Sequence, residues 1–270
     1  MKAESGDHVS SGIIATRLRF PALVVLPVAV LAAITPAVIH EFIGHGSMCL
    51  AVGGHPTVVS TSMFWCTVPT PVVAAGGPAA NLLVGLICLM LRLRLRTPAP
   101  ALQLYLALVT AFAWFWEGGY AIQAMLLRRG DLYDLLAHTL GPPGIGMSIL
   151  IALAGATLYI INAAVTRAAL LSIAGHATLA SQVSRSSWLA GTLAVTIAAS
   201  ISPLGPTNLL DTVLAIGLAG LPLLVFLPHR GTSPVTGTPF TSNAMLPVLT
   251  AVIWVLFTAT LGHGITWDNW

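Results

Sequence analysis

Apolar residues gather in long runs that recur from one end of the chain to the other. The first begins at Phe20, directly after a polar stretch ending in Arg17 and Arg19, and continues to about Gly53. Others lie at about 71–91, 101–127, 144–165, 187–201, 208–227 and 244–262. Most have the roughly twenty residues that a helix needs to cross a hydrocarbon core, and 187–201 is the shortest. The pattern predicts an all-α integral membrane protein of about seven transmembrane helices (six to eight). A polar tail over 1–19 precedes one polytopic membrane domain over 20–265, and a short tail over 266–270 follows it. The tract "LAAITPA" offers a weak signal-peptidase site, but cutting there would remove half of the following helix, so the first run is expected to stay as an uncleaved anchor. Two polar intervals break the pattern. Residues 56–70, "PTVVSTSMFWCTVPT", mix β-branched and small residues and predict a short hairpin or strand. Residues around 128–143, rich in Gly and Pro, predict a re-entrant or broken element.

Composition sharpens this picture. Of the 270 residues, 56% are apolar and only 7% are Asp, Glu, Lys or Arg, where soluble domains carry roughly a quarter. So few charges cannot solvate a globule of this size, which excludes a soluble enzyme, a disordered tail and a nucleic-acid binder. The partner implied is the lipid bilayer, and the net charge of +3 reads as a topology signal. With the N-terminus cytoplasmic, Lys2, Arg17, Arg19, Arg92, Arg94, Arg96, Arg167, Arg185 and Arg230 all fall on the inner side, and only Arg128 and Arg129 fall outside. A multi-pass protein of the cell membrane is expected. Cys49, Cys66 and Cys88 are too few and too scattered for a disulfide framework or a cysteine metal knuckle.

Ionisable side chains inside hydrocarbon are costly and mark function by default. Those that remain are His40, Glu41 and His45 in the first run, Glu117 in the third and Asp211 near the start of the sixth, with Asp131 and Asp134 in the irregular interval. Two imidazoles and a carboxylate fall within six residues of "HEFIGHG", flanked by apolar sequence. They either satisfy one another as buried polar groups or form a zinc site, in which imidazoles bind the metal and Glu41 accepts a proton from bound water.

That run resembles the H-E-x-x-H of intramembrane zinc metalloproteases of the site-2 protease type. "GGPAANLLVG", with Pro78 and Asn81, is similar to the family's glycine-proline-x-x-asparagine segment, and "LLRRGDLYDLL" lies where the family carries a leucine-aspartate-glycine motif. The resemblance covers about residues 35–136. It implies hydrolysis of a peptide bond in a membrane-embedded substrate, with Glu41 as general base and zinc held by His40, His45 and an aspartate. "GDL" in place of leucine-aspartate-glycine leaves Asp131, then Asp134, then Asp211 as the third ligand. The family's histidines are four apart, whereas His40 and His45 are five apart, about 140° around a regular helix. Either a π-bulge near Gly44 realigns them, or Glu41 and His45 are the helical pair and His40 stands outside.

Asn81 is expected either to hold a substrate strand, as the resemblance implies, or to meet backbone groups freed by Pro78. Glu117 either orients a ligand histidine or is a hydrogen-bonded buried acid. Trp114, Trp116 and Tyr120 are read as packing or interfacial surface. The hairpin edge would bind an unwound substrate by strand addition, as in the resembled family. The competing expectation is a non-catalytic membrane protein: a scaffold of the same fold, or a small transporter whose buried His and Glu relay protons or ions. The oligomeric state has no sequence signal.

Overall fold

The computed structural model of the chain describes residues 21–95, 99–225, 240 and 244–267. The tail over 1–19, Arg96, Arg230 and residues 268–270 lie outside the described residues.

The first apolar run folds as one continuous helix, Ala22–Ala51, built of α1 (Ala22–Ala37), a π-helical segment (Val38–His45) and α2 (Gly46–Ala51). Pro36 has no backbone N–H to donate and sits just before the change to π geometry. Then come strands β1 (Pro56–Val59) and β2 (Phe64–Cys66), α3 (Pro71–Arg94) and α4 (Pro100–Leu127). Thr70 starts α3 by accepting the Val73 N–H, with Pro71 at the first helical position. The second half holds α5 (Asp131–Leu140), α6 (Ile145–Ala174), α7 (Ala177–Ser200), α8 (Pro206–Thr212) with a π-helical continuation Val213–Leu218, and α9 (Leu221–Leu224). It ends with α10 (Met245–Phe257), a π-helical turn and β3 (Ile265–Thr266).

Four of the described helices are long and apolar enough to cross a membrane: Ala22–Ala51, Pro71–Arg94, Ile145–Ala174 and Met245–Gly262. The expectation of about seven spans is therefore met only in part. Helix α4 has the length but carries Glu117, α7 is studded with Ser, Thr and Arg185, and the run at 208–227 is broken into α8, a π segment and α9. The chain is mostly helical but not all-α, since β1, β2 and β3 form a three-stranded antiparallel sheet in the order β2-β1-β3. Its hairpin is the one expected over 56–70. The interval around 128–143 is not irregular throughout: α5 occupies most of it, between Gly130 and Gly141, both at positive φ. Residues 265–266, expected to close the membrane domain and begin a tail, are the third strand.

Helix α1 is central. It packs against α4, α7 and α10, with α6 lying along α4. Half of the residues in its span are buried, against fewer than a quarter in those of α6 and α10. Ala29, Ala32 and Ala33 let α1 approach Leu108 and Phe112 of α4 and Val195 of α7 in one apolar core. On α6 and α10 large apolar side chains point outward instead, among them Ile149, Leu150, Leu153, Val252 and Val255, as lipid-facing surfaces do. At one end of the bundle four segments meet. Thr61 and Ser62 of the hairpin turn bond Thr212, and Ser60 donates to Asn208 Oδ1 at 2.8 Å. Arg129 pairs with Asp211 at 2.9 Å, and β3 pairs with β1. Arg92 and Arg94 close α3 at its opposite end.

Candidate metal centre

The π-helical segment decides how the two histidines face. Five residues separate His40 from His45, and the wider π turn brings them onto one side, with ring centroids 4.9 Å apart. Helix α3 can come this close because glycine meets glycine: a Cβ on Gly44 would lie 2.6 Å from the Gly76 carbonyl oxygen. One residue on, a Cβ at Gly77 would press on Nε2 of both His40 and His45. The space in front of the two ring nitrogens exists because residue 77 has no side chain.

Asp131 reaches the same point from the other direction. Helix α4 ends at Arg128 in the left-handed conformation, Gly130 follows at φ 95°, and α5 begins at Asp131. The Tyr120 hydroxyl pins this corner, accepting the Asp131 N–H at 3.0 Å and donating to its Oδ2 at 3.3 Å. Asp131 Oδ2 lies 3.4 Å from His40 Nε2 and 3.3 Å from His45 Nε2. The three ligand atoms fall within 4.8 Å of one another. Burial works to raise the Asp131 carboxyl, but hydrogen bonds from the two imidazoles and their nearby charge outweigh it and hold the group well below the usual carboxylate range.

The far side of each ring is also committed. His45 Nδ1 donates to the Val73 carbonyl at 2.7 Å, and His40 Nδ1 lies 3.0 Å from Glu117 Oε1. Asn81 Nδ2 also stands 3.2 Å from His40 Nδ1. With Nδ1 protonated on both rings, a metal would take the place of the Nε2 contacts to Asp131. Trp116 stacks on His40 at 4.7 Å and Phe64 on His45 at 5.4 Å. Two nitrogens and one carboxylate oxygen this close together could hold a metal ion, with His40, His45 and Asp131 as the residues that would bind it. The same atoms also meet as ion pairs.

Glu41, buried beside the histidines, is not one of the three. Its carboxylate makes no hydrogen bond among the described residues and lines a cavity of about 190 Å³ together with His40, His45, Asp131 and Trp65. A second cavity, about 280 Å³, opens past Phe64 and Trp65 and is lined by His45, Asp131, Asp134 and His138.

Of the two accounts of the spacing, convergence through π geometry is the one observed; Glu41 and His45 do not form a pair that excludes His40. Asp134 and Asp211 stand outside the cluster, the first beside the second cavity and the second bound to Arg129. Asn81 is fully buried, and its Nδ2 donates to Glu117 at 2.9 Å. Trp116 and Tyr120, expected as packing surface, instead touch the histidine and the aspartate; at 116, 117 and 120 they share one face of α4 with Glu117. The sequence reasoning also missed a disulfide between Cys49 and Cys66 that ties α2 to β2. Compared with protein families, with curated proteins and with solved structures, the chain matches none.

Proposed function

We propose that this chain is an intramembrane zinc metalloprotease that cuts a peptide bond of a membrane-embedded protein. The observation that carries this reading is the convergence of His40 Nε2, His45 Nε2 and Asp131 Oδ2 in front of a side-chain-free Gly77. A zinc ion held there would supply Lewis-acid polarisation and lower the pKa of water in a medium where hydroxide is scarce. Glu41 takes the proton of the attacking water and returns it to the leaving nitrogen, a role suited to a carboxylate with no competing hydrogen bond among the described residues. A locally unwound substrate adds to β2, the one of the sheet's two edge strands whose residues border both cavities.

In this reading the N-terminus is cytoplasmic and the site opens to the outer side. Arg92 and Arg94 at the far end of α3 support that orientation, as does a disulfide at the site end, since such bonds persist in oxidising compartments. A second reading draws on the ion pairs that Asp131 makes with both imidazoles: a metal-free relay of protons or ions in a transporter or non-catalytic scaffold.

Metal analysis of purified protein separates the two. Wild type is expected to carry about one zinc per chain. His45→Ala and Asp131→Asn should lose it, and Glu41→Gln should keep it while failing to cleave a transmembrane substrate. Metal-free wild type purified without chelators would overturn the protease and leave the relay.

A further inference from the structure

We propose that Asn81 and Glu117 together brace the His40 ring for metal binding, Asn81 holding the Glu117 carboxylate and standing 3.2 Å from His40 Nδ1, and that Asn81 does not touch substrate. This deepens the metal-site reading and rests on it.

Three observations converge. Glu117 Oε1 accepts from both sides, from His40 Nδ1 at 3.0 Å and from Asn81 Nδ2 at 2.9 Å. All three residues are buried, Asn81 completely, so no substrate strand lying in the cavity reaches its amide. Neither Asn81 nor Glu117 lines either cavity around the metal ligands. Both links are set by helix spacing. Asn81 stands four residues beyond Gly77, on the same face of α3: one position leaves the space in front of the rings open and the other reaches behind them. Glu117 follows Trp116, whose indole stacks on the same imidazole with an interplanar angle of 13°.

The brace has a directional consequence. An imidazole binds metal through one nitrogen only if its other nitrogen carries the proton, and a carboxylate acceptor at Nδ1 selects that tautomer and raises the basicity of Nε2. A carboxylate alone can swing about its side-chain torsions, and the Asn81 amide stops it. Asn81 Oδ1 makes no hydrogen bond among the described residues, so its contacts here come from the NH2 group, to Glu117 Oε1 at 2.9 Å and beside His40 Nδ1 at 3.2 Å. Asn81 and Glu117 are positioning residues, and their effect is read in metal affinity, with no need of a substrate.

The test is zinc affinity of the purified full chain in detergent, by competition with a chromogenic chelator. Glu117→Gln is expected to weaken zinc by about 10- to 100-fold. Asn81→Ala should weaken it by a smaller factor. The double variant should lose clearly less than the product of the two single losses, because Asn81 acts largely by holding the Glu117 carboxylate. Glu117→Asp, which keeps the acceptor on a shorter arm, should recover part of the loss, and the cobalt-substituted absorption band should shift in Glu117→Gln and return toward wild type in Glu117→Asp. Elution volume and thermal midpoint of the metal-free proteins report folding; should Glu117→Gln not fold, Asn81→Ser and Glu117→Asp carry the same comparison. Unchanged affinity in the Glu117 variants overturns the proposal, as does an Asn81 effect that multiplies in full on top of Glu117→Gln. A wild type that takes up no zinc, or a His40→Ala variant that binds as tightly as wild type, would instead remove the metal site itself.

Discussion

A missing side chain shapes the site as much as the ligands do. Any Cβ at residue 77 would press on Nε2 of both histidines and on Cδ2 of His40. Gly77→Ala is therefore expected to reduce zinc content by at least about tenfold without unfolding the protein, the ligands being intact but shut off. Gly146→Ala, where a Cβ meets open space, should leave zinc unchanged; equal zinc in both variants would contradict the geometry. At this scale the sequence was legible where the solvent is unforgiving. His40, Glu41 and His45 stand out because ionisable groups in hydrocarbon are rare, while the third position stayed open among Asp131, Asp134 and Asp211, with Asp131 first. Trp116 and Tyr120 were not legible, since an aromatic residue in an apolar run does not disclose which neighbour it faces. Nor was Gly77, one of two adjacent glycines whose contacts depend on how closely α3 crosses the π-helical segment.

Among the elements, that π-helical segment sets the histidine geometry. Removing one residue from a π turn returns it to α geometry, with the flanking helices in register. Deletion of Ile43 would place the histidines four apart, about 40° around a regular helix. Zinc affinity is expected to stay within about tenfold of wild type, whereas inserting an alanine after Ile43 should abolish binding. Loss of zinc in the deletion as complete as in His45→Ala would show that the wider turn is indispensable. The five-residue spacing raised this irregularity as one of two alternatives, the other being a Glu41–His45 pair. The hairpin was legible from β-branched residues, but β3 was not, because two residues carry no pattern and earn strand geometry only from β1. The Cys49–Cys66 bridge was equally hidden: 17 residues separate its ends, and only the return of β2 over α2 brings them together.

Across the whole molecule, polarity sorts by end. Hairpin, Asp131 corner, start of α8 and β3 gather around the site, while Arg92 and Arg94 sit at the other end of α3. In a Cys88→Ala chain, an impermeant maleimide added to intact cells should label Cys66 only after an impermeant reductant opens the bridge. Labelling that requires permeabilised membranes would reverse the orientation. The run lengths announced the four described helices that are long and apolar enough to cross a membrane; the expected seven are met only in part, because α4 and α7 combine helical length with polar content.

The pairing of β3 with β1 bears on how the protein is made. Synthesis is vectorial, so β1 has β2 beside it from early on and waits through the emergence of every later helix before residues 265–266 arrive to cover its other edge. The strand assembly flanking the candidate metal centre is thus completed only after the described helices have emerged. A fusion partner attached just beyond that strand would sit beside the site, at the stage of assembly least able to tolerate it.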